Sequence, residues 1–169
     1  WEAFRKRGEP LGLTPYGTEA MHVLRAEKGF IIVGQDTDGT VTPDDAGLGW
    51  AIGKAKTDFV GIRGLRRTDI AAPGRRQLVG LKTLDPRIVL EEGAQIVADP
   101  NQAIPMRMLG FVTSSYWSAN CGRSIAMALV ENGRARMGER LHVPMPGGIF
   151  EVEICPTVFF DEEGGRVHG

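Results

Sequence analysis

Arg123-Ser-Ile-Ala-Met-Ala-Leu-Val130, followed by Glu131-Asn132-Gly133, reads as a strand that runs straight into a turn. Aliphatic and β-branched side chains suit a pleated, packed surface, and Asn-Gly accepts the positive φ that a tight turn demands. Outward from it the same rhythm repeats: Gln77–Thr83, Ala94–Ala98, Arg107–Ser115, Arg140–Val143 and Ile149–Ile154 also read as strands. Turn signals at Asp85-Pro86, Glu92-Gly93 and Pro146-Gly147-Gly148 separate them. Six short strands at this spacing predict a small barrel or a sandwich beyond residue 75.

Before residue 68 the pattern is different. A helix is expected from about Pro15 to Lys28, with Thr14 as N-cap, Pro15 in the first helical position and Gly29 as the αL residue after the end. Tyr16, Ala20, Val23, Leu24 and Glu27 would form its inward stripe, with Arg25 beside it. Phe30–Val33 reads as a buried strand, residues 34–49 as a turn-rich loop, and Phe59–Arg67 as a short helix capped by Asp58. Trp1–Gly8 reads as the end of a helix entering from upstream, with Gly8 as its cap, so the chain is expected to be a piece of something longer. Thr68–Gly74 has the composition of a linker, which gives two units, 1–68 and 75–169.

Composition bounds the function classes. Of 169 residues, 42% are hydrophobic and 24% charged, and the formal net charge is -1, as in a packed globular chain. The first 85 residues carry 13 basic and 11 acidic side chains and the rest carry 7 and 10, so neither part has the basic excess of a nucleic-acid interface. No apolar run approaches the ~18 residues of a membrane span. Cys121 and Cys155 lack metal-ligand or CxxC spacing, which points to a reducing cytoplasm. Twenty-three glycines, about twice the ~7% norm, fit many tight turns.

Local motifs give no self-contained active site. Ile31–Thr40 resembles the first motif of the haloacid-dehalogenase phosphatases, with Asp36 as nucleophile and Asp38 as acid, but the strand-rich remainder offers no parallel sheet. As a calcium loop it would put Gly34 at position 1 and Asp45 at position 12, where Asp and Glu are needed. Asp36 and Asp38 are therefore expected to accept bonds from neighbouring backbone amides and shape a turn. Gly47–Lys54 has GxG without the remaining spacing of a nucleotide loop, and reads as packing glycines. Arg63, Arg66, Arg67, Arg75 and Arg76 form one basic cluster, a solvated face or a docking surface for an acidic partner. Thr113–Ser118 lacks GxSxG and reads as polar residues at a strand end; Cys121 reads as structural, and His22, His142 and His168 are scattered.

Leu24-Arg25-Ala-Glu27-Lys-Gly29, Gly34-Gln-Asp36, Thr42-Pro43, Gly49-Trp50 and Asp58-Phe59-Val-Gly61 together resemble the aminomethyltransferase (glycine-cleavage T-protein) family, as do Val112-Thr-Ser114 and Gly138. Gly12–Arg25, Gly34–Pro43, Val112–Ser118 and Val143–Pro146, with Phe159-Phe160-Asp161, are more specifically similar to the carboxyl-terminal part of the alpha subunits of heterotetrameric sarcosine oxidases. The resemblance implies an α+β fragment: the end of a T-protein-like folate-binding domain, then a small six-stranded antiparallel β-barrel. It implies oxidative demethylation of sarcosine to glycine in the whole enzyme, with hydrogen peroxide formed and a one-carbon unit passed to tetrahydrofolate. FAD, FMN and NAD would belong to the full complex and not to this fragment, and the partners would be the beta, gamma and delta subunits.

On this resemblance the fragment forms one side of the folate site and is catalytically inert alone, with no catalytic or metal-binding residue. Arg25 matches the family arginine that lines the folate site, where a guanidinium offers a fork of donors; an ion pair with Glu27 or another helix carboxylate is the alternative. Trp50 matches an aromatic near the site, with plain packing as its alternative. Phe159 and Phe160 stand where the family presents a tyrosine, and Phe160 is taken as the contact, without the hydroxyl. Two rival readings remain: a structural or docking barrel that touches no ligand, and a fragment of a folate-dependent aminomethyltransferase without an oxidase partner.

Overall fold

The computed structural model describes residues 1–166; His168 lies outside them. Six strands form one antiparallel sheet: β1 (Arg76–Thr83), β2 (Gln95–Ile96), β3 (Gly110–Ser118), β4 (Arg123–Glu131), β5 (Arg140–Met145) and β6 (Gly148–Cys155), in the order β2-β3-β4-β1-β6-β5. Val97, just past β2, exchanges both backbone hydrogen bonds with His142 on β5 at 2.9 Å. That bridge joins the two edges, so the sheet closes into a barrel and leaves no long open edge. All six strands expected beyond residue 75 are present, with β3 displaced three residues toward the carboxyl end.

The alternation of side chains along β4 explains how the rest of the molecule is held. Ala126, Ala128 and Val130 point inward, to a barrel core shared with Val79, Leu81, Val112, Leu141, Val143, Val152 and Ile154. Ile125, Met127 and Leu129 point outward, yet they are as buried as their neighbours, with Leu78 and Tyr116 beside them. A second apolar layer therefore covers the outer face of β1, β4 and β3. It is supplied by the amino-terminal residues Val23, Ala26, Ile31 and Val41, with Phe159 from the carboxyl end. Each such side chain removed from water contributes roughly 1.5–3 kcal/mol, enough to fix an otherwise loop-rich segment to the barrel. Two glycines on this sheet leave no room for a side chain: a Cβ would lie 2.1 Å from the Leu129 carbonyl oxygen on Gly110 and 2.3 Å from the Pro156 carbonyl oxygen on Gly80.

The amino-terminal part departs from the sequence expectation in several places. Helix α1 spans Glu2–Gly8, and the left-handed residue is not Gly8 but Gly12, after a 3-10 turn. Helix α2 spans Thr18–Glu27 with Gly17 as N-cap, so Thr14 and Pro15 lie outside it. Its inward face is Val23, Ala26 and Glu27, whereas Tyr16, Ala20 and Leu24 are exposed. Gly29 does close the helix, at φ 70, with Thr157 packed where a side chain would be. Phe30–Val33 is not a buried strand: both end residues are exposed, and a single bridge, Val33 to Thr37, is its only ladder contact. Helix α3 is short, Ile62–Leu65, capped by Gly61 and not by Asp58. The apolar side chains of the expected stripe and strand divide: Val23 and Ile31 pack on the barrel, while Tyr16, Leu24, Phe30 and Val33 turn outward.

Candidate functional site

Arg25, in the last turn of α2, reaches across to the barrel. Its Nη2 donates to Ser114 Oγ (2.7 Å) and Tyr116 Oη (3.2 Å), and its Nη1 donates to the Phe30 carbonyl (3.1 Å) and to Asp36 Oδ2. The guanidinium carbon sits 5.6 Å from the centre of the Tyr116 ring. All four Nη hydrogens are thus engaged. Nε is buried and has no partner among the described residues.

Asp36 is the fixed point of this arrangement. Oδ1 accepts from Thr113 Oγ1 and Ser114 Oγ, each at 2.6 Å, and Oδ2 accepts from the Ile32 amide (2.9 Å) as well as from Arg25. Its side chain is 0% exposed and that of Arg25 10%. Thr113 and Ser114 are consecutive, and on a regular strand they would face opposite ways. A β-bulge on β3 between Val112 and Ser114 removes that conflict and turns both hydroxyls to one carboxylate. Gln35 closes the cluster, donating from Nε2 to Glu92 (2.8 Å) on the barrel, with Ser114 Oγ and Tyr116 Oη each 3.2 Å away.

Two further carboxylates fasten the same segment. Glu27, 2% exposed, accepts from Ser118 Oγ (2.5 Å) and Asn120 Nδ2 (2.8 Å). Its carbonyl takes the amides of Phe159 (2.8 Å) and Phe160 (3.1 Å), which seats the carboxyl-terminal segment on the end of α2. Asp45 accepts from Arg75 Nε and Nη2 and from the amide and hydroxyl of Thr42. Burial pushes the Asp45 carboxyl up, but Arg75 and Thr42 together outweigh it and hold it below the ordinary carboxylate value. Asp38 does shape a turn: the Thr40 hydroxyl (2.6 Å) and amide (2.7 Å) bond to it and lower its pKa.

These contacts correct the sequence reading at three points. Arg25 pairs with the loop residue Asp36, not with Glu27 or another helix carboxylate. Asp36 is more than a turn former, since its partners include an arginine and two β3 hydroxyls. Thr113–Ser118 does run to the end of β3, but it is buried apart from Trp117, and four of its hydroxyls serve this seam. That polar run, set in a strand otherwise buried on both faces, was the one signal in the sequence that could have revealed it.

The expected folate residues are not all brought together. Phe160 is half-buried under the Arg166 guanidinium, 5.0 Å from its ring centre, and is tied to α2 through Glu27. Trp50 lies in the exposed 3-10 turn Gly49–Ala51; among the described residues no hydrogen bond or ring contact links it to Arg25 or Phe160. Cys155 is no nucleophile at neutral pH, because burial pushes its thiol up to about 11. No group of His, Cys, Asp or Glu among the described residues is placed to hold a metal ion. No helix there is long and apolar enough to cross a membrane.

Comparison with known proteins places this geometry. Residues 76–161 match the glycine cleavage T-protein C-terminal barrel domain, and residues 1–56 match the GCVT N-terminal domain. The chain is 50% identical over 173 residues to the sarcosine oxidase subunit alpha of Corynebacterium sp. (strain P-1), all of the chain against 18% of that protein. It is 40% identical over 169 residues to the sarcosine oxidase subunit alpha of Rhizobium meliloti (strain 1021), 99% of the chain against 17%. It is 34% identical over 150 residues to the aminomethyltransferase of Synechococcus sp. (strain WH7803), covering 88% of the chain and 38% of that protein. The crystal structure of glycine cleavage system aminomethyltransferase T from Bartonella henselae superposes with a TM-score of 0.70 at 25% identity, over 85% of the chain and 38% of that structure. The chain thus spans under a fifth of the length of the sarcosine oxidase alpha subunits it matches.

Proposed function

The chain belongs to the glycine cleavage T-protein family, and on that premise we propose that it is part of a sarcosine oxidase alpha subunit and forms one side of that subunit's folate site. Residues 1–68 would complete the folate-binding domain and residues 75–169 form its barrel. The enzyme would be cytoplasmic and would demethylate sarcosine to glycine with formation of hydrogen peroxide. It would work with beta, gamma and delta subunits and with FAD, FMN and NAD held outside this chain. The amino-terminal third presents Trp1, Phe4, Leu11, Tyr16 and Phe30 to solvent, an apolar face suited to packing against the rest of the folate domain.

The observation that carries the folate reading is the buried, unpartnered Nε of Arg25. An unmet buried donor costs roughly 1–3 kcal/mol, a cost that an acceptor atom of bound folate would remove. The residues fit the ligand in this limited way: the guanidinium has one hydrogen left and offers a single donor, not a fork. Tetrahydrofolate, when bound, supplies a nitrogen that takes up a one-carbon unit. Arg25 would orient it through Nε, and Phe160 would close the site by shape, its ring lacking the hydroxyl of a tyrosine. Trp50 enters this site only if its exposed turn packs against the missing part of the domain. By itself the chain would be inert.

A docking role is the second reading, favoured by one observation: Arg63 and Arg66 are exposed and make no ion pair among the described residues. Oxidation of sarcosine by the assembled enzyme, followed with and without tetrahydrofolate, tests the first reading. Formaldehyde release that falls when tetrahydrofolate is added supports it, and release that is unchanged refutes it. Charge reversal at Arg63 and Arg66 tests the second, which fails if assembly is unaffected.

A further inference from the structure

Asp36 makes no contact with the exterior, yet four donors converge on it, and the family reading gives it no task. We infer that Asp36 is a positioning residue for Arg25, setting the angle at which that guanidinium meets folate; the inference rests on the folate reading above. A carboxylate that holds only an arginine would let both side chains swing together. Here the grip is divided: Oδ1 is pinned by the two β3 hydroxyls and Oδ2 by the Ile32 amide, so the oxygen that faces Arg25 has a fixed position. Ser114 then touches both partners, donating to Asp36 and accepting from Arg25 Nη2. The triangle Arg25–Asp36–Ser114 leaves the guanidinium plane no freedom to turn. Its orientation is therefore set by the bulge on β3, and the one hydrogen that remains, on Nε, keeps a constant direction.

The positional argument separates Asp36 from a simple charge partner. If Arg25 acted on folate only as a positive charge, loss of the Asp36 charge would leave affinity unchanged or raise it. If Arg25 acts through a directed N–H, loss of the grip lowers affinity, because a misdirected donor forfeits a hydrogen bond worth about three- to tenfold in binding. Asp36→Asn is a suitable variant, since its amide fills the same space but can offer an oxygen to only one side: either the Thr113 and Ser114 hydroxyls or Arg25 and the Ile32 amide then meet an NH2 group.

The test is calorimetric titration of a stable reduced folate into the assembled enzyme, with thermal melting of each variant alongside. Asp36→Asn is expected to weaken binding about tenfold and to have no further effect in an Arg25→Lys background. Ser114→Ala keeps the ion pair and breaks the triangle, and is expected to weaken binding about threefold, which decides the matter should Asp36→Asn not fold. Unchanged or tighter binding in Asp36→Asn, or in Ser114→Ala if that variant has to stand in, overturns the inference while the folate reading stands. No binding by the wild-type enzyme overturns both.

Discussion

Replacing Asp36 by alanine isolates the energetic weight of the seam between the amino-terminal segment and the barrel. The variant leaves the Arg25 charge nine-tenths buried with no counter-charge and removes the only side-chain partner of the Ile32 amide. Removing one member of a buried pair typically costs 3–5 kcal/mol, and an orphaned amide adds about 1–3 kcal/mol unless it reaches water. Thr113 loses less, because its hydroxyl has the Met127 carbonyl at 3.2 Å as another acceptor, whereas the Ser114 hydroxyl gives up its acceptor. A net loss of about 4 kcal/mol is expected, a large share of the 5–15 kcal/mol of a typical domain. With a urea slope of about 2 kcal/mol per molar, the midpoint should fall by about 2 M. Far-ultraviolet circular dichroism in urea at pH 7 measures it. The double variant Arg25→Met with Asp36→Leu should recover most of the loss, since apolar residues of similar volume often replace a buried pair at little cost. A single variant within 1 kcal/mol of wild type, or a double variant as unstable as the sum of its singles, refutes the reasoning.

Other consequences are independent of folate. Gly110→Ala places its Cβ 2.1 Å from the Leu129 carbonyl oxygen and 2.8 Å from the Val130 Cα. Both are backbone atoms of the paired strand, so a loss of about 3 kcal/mol is expected in thermal melting, and a wild-type melting temperature would contradict the register. The depressed pKa of Asp45 makes its clamp with Arg75 fully stabilising above the ordinary carboxylate value of 3.8 and progressively lost as pH falls through the lower folded value. Asp45→Asn should therefore be destabilised at neutral pH and show a flatter decline of stability in acid, read from urea midpoints between pH 7 and pH 2. Cys155, with its thiol pushed up to about 11 and buried, should resist alkylation in the native protein at pH 8 and react once urea is added; mass spectrometry of the native digest decides it.

The barrel was legible in the sequence because its strands obey local rules. The aliphatic run of β4 and turn residues such as Asn132-Gly133 mark its elements without knowledge of the partners. The amino-terminal segment was less legible, because its conformation is decided by contacts with residues far along the chain. Phe30–Val33 has the composition of a buried strand, yet Asp36 takes the Ile32 amide and closes a turn on the Ile32 carbonyl, and Phe30 and Val33 face outward. Arg25 could be picked out as a site residue by resemblance alone. Its partner could not, since nothing local across the 11-residue separation of Arg25 and Asp36 distinguishes that aspartate from Asp38. The bulge that brings Thr113 and Ser114 to one side leaves no mark in composition either, apart from an unusual run of hydroxyls in a buried strand.

The most direct test of the account is a calorimetric titration of a stable reduced folate into the assembled enzyme that carries this chain, beside the same enzyme with Arg25→Lys and the 169-residue chain alone. Lysine keeps the charge but cannot reproduce the Asp36, Ser114 and Tyr116 contacts together, nor present a hydrogen in the place of Nε. The account predicts micromolar or tighter binding to the wild-type enzyme (roughly -8 kcal/mol), at least tenfold weaker binding to the variant, and none to the chain alone. Equal binding by wild type and variant would contradict the role assigned to Arg25, and no binding by the wild type would contradict the folate site itself.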